Sequence, residues 1–155
     1  MTCITRPTAI FAAAVLLAFA SNGGSAIAAS PKEEANRKVV LDFYEKGLKQ
    51  KDADAAIALM GDRYVQHNPN AADGPDGFRK FIGFLREKFP NSKSEIKRSF
   101  ADGDYVILHV HAVREPGTRG NAIVDIFKLE NGKIVEHWDV VQPIPETPAN
   151  NNGMF

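Results

Sequence analysis

The sequence predicts an α+β domain in which helices pack on a strongly curved antiparallel sheet that encloses an internal pocket. Three observations lead there. Apolar residues recur at spacings of three and four up to Phe89, the period changes to two after Pro90, and no strand alternates with a helix beyond that point. Helices gathered before strands cover one face of a sheet, and strong curvature of that sheet leaves a cavity beneath them.

The first segment is not part of this domain. Arg6 precedes an apolar run from Ala9 to Ala20, and Ala26, Ile27 and Ala28 supply an A-x-A cleavage site, so residues 1–28 read as a secretory signal peptide. An apolar core of about a dozen residues is too short to span a bilayer, which predicts a secreted or periplasmic protein, cleaved near Ala28, without a stable membrane anchor. Cys3, the only cysteine, leaves with the leader, so no disulfide is expected. The remaining chain, about 127 residues, suffices for one apolar core. The leader holds a single base, Arg6, and no acid, so of the 19 bases and 19 acids the mature chain keeps 18 bases and 19 acids, a formal charge of −1. That balance gives no broad field for nucleic acid or anionic lipid. The basic cluster Lys93, Lys97 and Arg98 is broken by Glu95 and reads as a solvated strand face.

Ser30, Pro31 and Glu33 form a capping box with proline at the first helical position, and Val39, Val40, Phe43, Tyr44 and Leu48 give the following helix one buried stripe. A short second helix is expected from Asp54 to Met60, ended by Gly61. Tyr64 to Asn68 reads as extended and stops in a turn, because a residue before proline avoids helical angles. Phe78, Phe81, Ile82, Leu85 and Phe89 mark a third helix. Four period-two runs follow: Ser94–Ala101, Asp104–Val113, Asn121–Leu129 and Lys133–Gln142. Asp102-Gly103 and Asn131-Gly132 are short hairpin signals. The domain is thus placed at residues 29–142, and the proline- and asparagine-rich residues 143–155 read as a flexible tail.

The last hairpin carries Asp125, His137 and Asp139 on strands expected to be largely buried, where charged groups need a reason. A two-residue Asn131-Gly132 loop pairs position 125 with 138 and sets Asp125 on the opposite face from Asp139. A three-residue Glu130-Asn131-Gly132 turn, with Gly132 in a left-handed bulge position, pairs 125 with 137 and 123 with 139. The second arrangement is preferred, since it sets an acid–imidazole–acid cluster into an apolar wall of Ile123, Phe127, Val135 and Val141, as in a ligand pocket. Such a cluster suits abstraction of a proton next to a carbonyl. His109 and His111 lie two apart on the face of Tyr105 and Ile107, and read as polar pocket lining or hydrogen-bonded packing; a metal there needs a third ligand, a carboxylate or His67. Polar side chains also crowd the strand end Tyr64-Val65-Gln66-His67-Asn68-Pro69, where His67 can orient a carbonyl or a water. Trp138 points to the other face of the sheet, toward another layer or a subunit.

The Tyr64–Pro69 segment, the phenylalanine-rich helix after Gly77, and Val124-Asp125-Ile126-Phe127 followed by Glu130-Asn131-Gly132-Lys133-Ile134-Val135-Glu136-His137-Trp138-Asp139 resemble SnoaL-like proteins of the nuclear transport factor two-like superfamily. The resemblance spans Pro31 to Gln142. It implies a cone-shaped α+β barrel, a homodimer through the sheet, and a pocket inside the cone. In the polyketide cyclases of that family an aspartate near the end of the last strand is the general acid/base of an aldol condensation that needs no cofactor, and Asp139 falls on that position. The cyclases carry a histidine where this chain has Asp125. The expected catalytic residues are therefore Asp139, Asp125 and His137. The expected substrate-binding residues are His67, Asn68, His109, His111, Tyr64 and Phe127, with neither cofactor nor metal. The resulting expectation is an exported acid/base enzyme acting on a small carbonyl compound, and the alternative is a non-catalytic binder of the same fold.

Overall fold

Ser30 caps the first helix from both sides: its Oγ accepts from the Glu33 N–H at 3.3 Å, and its own N–H donates to Glu33 Oε2 at 2.6 Å. The computed structural model that shows this describes Met1 and residues 29–155, so the expected leader lies outside the described residues. Helix α1 runs Pro31–Tyr44 and buries Val40, Phe43 and Tyr44. It widens into a π-helical turn, Glu45–Lys49, that packs tightly at Gly47, where an added Cβ would lie 2.8 Å from Phe78 Cζ. Helix α2 is Ala53–Ile57 and helix α3 is Gly74–Lys88. Among the described residues no helix is long and apolar enough to cross a membrane.

Helix α2 ends before the expected Met60. Met60 instead opens strand β1, Met60–Gln66, because the sheet captures it: Met60 pairs with Ile134, and the Ile134 N–H donates to the Leu59 carbonyl at 3.0 Å. The remaining strands are β2 Lys93–Asp102, β3 Tyr105–Val113, β4 Asn121–Glu130 and β5 Lys133–Pro143, and the five-stranded sheet has the order β1-β5-β4-β3-β2. The four later strands pair antiparallel, as their hairpin signals predict. Strand β1 runs parallel to β5, so the sheet is mixed and not wholly antiparallel. A parallel pair needs a long crossover, and α3 with the three intervening strands supplies it.

The helices cover one face of the sheet, here called inner. Val106, Leu108 and Val110 of β3, Phe127 and Leu129 of β4, and Ile134 of β5 meet Val40, Phe43, Ile82 and Leu85 there in one core. The outer face carries Tyr105, Ile107, His109 and His111 of β3 beside Trp138 of β5, and leaves Phe100, Tyr105, Val124 and Val140 exposed. The C-terminal residue returns to this face, where the Phe155 ring lies 5.1 Å from the His109 ring and 4.8 Å from that of His111.

The last turn differs from the preferred three-residue form. Glu130 pairs with Lys133, and Asn131 and Gly132 both have positive φ, 51° and 72°, the signature of a two-residue type I′ loop. The register shifts one step later, between Lys128 and Leu129, where Val135 is the extra residue of a bulge in β5. Beyond it Asp125 pairs with Asp139, Phe127 with His137 and Ile123 with Val141. The slip therefore sits in the strand, and it returns both acids and the imidazole to the inner face.

Candidate active site

A cavity of about 570 Å³ lies between the inner face and the helices, lined by phenylalanines from α1, α3 and β4 that leave it open. Asp125, His137 and Asp139 stand in its wall, each offering a ligand-type atom within 4.8 Å of the others. Asp125 and His137 are buried, at 5% and 8% exposure, while Asp139 is half-buried.

Two amides set the proton positions in this cluster. Asn68 stands in the turn before Pro69, and its Oδ1 accepts from the Asn70 N–H at 2.7 Å, which turns its amino group toward Asp139. Asn68 Nδ2 then donates to Asp139 Oδ1 at 2.8 Å and Oδ2 at 2.7 Å. Gln66 is fixed in the same manner: its Oε1 accepts from the Asn68 N–H at 2.8 Å and lies 2.9 Å from His137 Nδ1. Since Gln66 Oε1 can only accept, Nδ1 carries a proton. The other ring nitrogen, Nε2, lies 3.0 Å from Asp125 Oδ1, a contact between two acceptors unless a proton lies between them. One proton therefore belongs to the His137–Asp125 pair.

Tyr44 completes Asp125 from above, its hydroxyl donating to Oδ2 at 2.9 Å. Burial, then the charge of Asp125, push this phenol well above its ordinary range. Tyr64 lines the same cavity and is raised chiefly by burial and next by Asp125, so its hydroxyl stays protonated. Gln66 Nε2 donates to the Tyr64 oxygen at 3.2 Å, which leaves the Tyr64 O–H hydrogen to point at a ligand.

Of the residues expected at the site, Asp139, Asp125, His137, Asn68, Tyr64 and Phe127 line the cavity. Phe127 is its packed base, 4.7 Å from the His137 ring. Three expected residues do not reach it. His67 follows Gln66 by one position on an extended strand, so its ring lies outside, stacked on Trp138 at 4.5 Å and 3.3 Å from Glu136 Oε2. His109 and His111 flank Val110, an inner-face residue, and so occupy the outer face; His111 Nε2 contacts the Arg119 carbonyl at 2.8 Å. Tyr44 and Gln66 are partners that the sequence reading missed. Gln66 shares strand parity with Tyr64, a signal that was available, and a buried phenol such as Tyr44 normally has a partner for its hydroxyl.

An open mixed sheet under three helices, with a proton-bearing cluster in the wall of an apolar cavity, defines a domain of the nuclear transport factor two-like class. Within it the chain matches the SnoaL-like domain over residues 40–137, more than half its length, and it belongs to that family. No curated protein matches it significantly. Solved structures share the fold at low identity. A provisionally named SnoaL-like polyketide cyclase from a Jannaschia species is 21% identical with a TM-score of 0.60, over 73% of this chain and 89% of that one. A provisionally named ketosteroid isomerase from Kribbella flavida is 17% identical with a TM-score of 0.62, over 78% of this chain and 87% of that one. AclR from Streptomyces galilaeus, provisionally named a hydroxylase, is 19% identical with a TM-score of 0.59, over 71% and 90%.

Proposed function

We propose that the protein is an exported, cofactor-independent enzyme that moves a proton on a small carbonyl compound, in the manner of an aldol-type cyclase, isomerase or dehydratase. The observation that carries this reading is the pairing of a cavity-facing carboxylate, Asp139, with a separate proton held between His137 and Asp125. Asp139 accepts a proton from the carbon beside the carbonyl, and the Tyr64 hydroxyl donates to the enolate oxygen as charge gathers there. The proton taken up by Asp139 returns to the product at carbon or oxygen, and the His137–Asp125 pair keeps the neighbouring charge balanced. Structural neighbours whose provisional names are cyclase and isomerase support the class of reaction.

The test is exchange of the α-hydrogens of a panel of apolar ketones in heavy water. Asp139→Asn keeps the shape but removes the basic oxygen, and exchange is expected to fall by about 10²–10⁴-fold. Unchanged exchange in that variant rejects the role of Asp139. The alternative is a non-catalytic binder, favoured by the fact that both Asp139 oxygens already hold Asn68. A binder would take up the same ketones without exchanging them.

The outer face, with exposed Phe100, Tyr105, Val124 and Val140, supports a homodimer through the sheet. Sedimentation of wild type and Val140→Glu tests it, the variant being expected to run as the monomer.

A further inference from the structure

The cavity wall is divided by charge along its length. Among its lining residues the acids are Asp125 and Asp139, both on the inner face. The lysines and arginine are Lys80, Lys93 and Arg114, all exposed and hence at the rim. Lys93 opens β2 opposite Val113, and Arg114 follows Val113 at the end of β3, so these two share one end of the sheet. No acid of the described residues forms an ion pair with any of the three. The Arg114 guanidinium instead lies 5.7 Å over the Phe89 ring, which meets Phe84 edge-on at 5.5 Å. Phe84 is itself 43% exposed at the cavity rim. An aromatic wall thus leads from the interior to uncompensated positive charge.

We propose that the ligand is an elongated amphipathic anion, with an apolar body among the phenylalanines and a carboxylate or similar group at Arg114 and Lys93. Asp125 pairs with Leu108, and Val113, the last residue of β3 before Arg114, stands five positions further along that strand. At about 3.3 Å per residue this is roughly 16 Å of strand, to which Arg114 adds one residue and from which the reach of the side chains at each end subtracts. Such a span calls for an extended body and not a small keto acid. The inference rests on the proposed function only for the carbonyl end of the ligand; the rim and the apolar body stand apart from it.

Calorimetric titration with pyrenebutyrate and its uncharged analogue pyrenebutanol tests the proposal, because the two share an aromatic body and differ in charge. At low ionic strength the anion is expected to bind about tenfold more tightly, a preference that salt weakens. In the double variant Lys93→Gln and Arg114→Gln the preference disappears, while affinity for pyrenebutanol is unchanged. Equal affinities in wild type, a preference that survives in the double variant, or binding of neither probe below about 1 mM overturns the proposal. Asp139→Asn separates the two readings. If that variant retains the anion preference and also retains exchange, the proton-transfer reading fails alone. If it loses exchange and wild type shows no anion preference, the ligand class fails alone.

Discussion

Asn68 donates to both carboxylate oxygens of Asp139, at 2.8 and 2.7 Å, from a turn that lies across the sheet edge on the strand β1 side. The bond crosses 71 positions of sequence and links the turn after β1 to the last strand at the cavity. It holds the carboxylate in one orientation while leaving its remaining lone pairs open to a ligand.

Asn68→Ala is therefore expected to lower kcat by about tenfold to a hundredfold with little change in KM, because it loosens the base without removing it. The melting temperature should stay near that of wild type, since Asp139 is only half-buried and water can replace the amide. A variant with full kcat, or one whose entire loss lies in KM, would show that Asn68 does not position Asp139.

Gln66 fixes the tautomer of His137. Its Oε1, held by the Asn68 N–H, faces Nδ1 at 2.9 Å, so nitrogen NMR of wild type should show Nδ1 protonated. Gln66→Leu removes this acceptor from a buried imidazole and is expected to cost about 1–3 kcal/mol in denaturant unfolding. It should also shift the His137 nitrogen resonances, whereas those of His109, on the other face, remain in place. Coincident spectra would refute the assigned proton.

Alternation put His137 and Asp139 on one face of their strand, but whether Asp125 joins them depended on the register of the hairpin, and the expected three-residue turn gave that shared face by a device the chain does not use. Val135 lies in a run of strand-forming residues with no glycine to mark a bulge, while Asn131-Gly132 reads equally as a two-residue loop or as a segment of a longer turn. His109 and His111 were placed correctly beside Tyr105. Which face that was depended on Leu108 pairing with Asp125, a long-range register invisible in either strand alone. Tyr44 was hidden by belonging to the apolar stripe of its helix, since periodicity reports where a ring goes and not what its hydroxyl meets across 81 positions. The parallel placement of β1 was likewise settled by pairing at a distance.

The type I′ loop carries its own test. Gly132 has φ of 72° with nothing near an added Cβ, so Gly132→Ala adds no clash and isolates the backbone strain. A loss of about 1–2 kcal/mol in unfolding free energy is expected, with the cavity intact. A three-residue turn with Gly132 in the bulge would give a similar loss, so the discriminating variant is Asn131→Val. It is costly in a type I′ loop, where residue 131 also has positive φ, and tolerated in a type I turn.

Tyr44 and Tyr64 make the alkaline limb of stability a readout of the site. Burial, followed by the charge of Asp125, raises both phenols above their ordinary value of 10.0. Below that value folded and unfolded chains both keep these protons, and the stabilisation of the neutral phenols is fully present. As pH rises past it the unfolded chain releases protons that the folded chain retains. Stability must then fall, by about 1.4 kcal/mol per pH unit for each buried phenol. Tyr44→Phe should remove one such contribution and make the decline shallower. The same variant is expected to be about 1–3 kcal/mol less stable at neutral pH, because it strips the donor from buried Asp125 Oδ2. Urea unfolding followed from neutral to alkaline pH measures both effects. Parallel curves for wild type and Tyr44→Phe would mean that the phenol is not held protonated against Asp125.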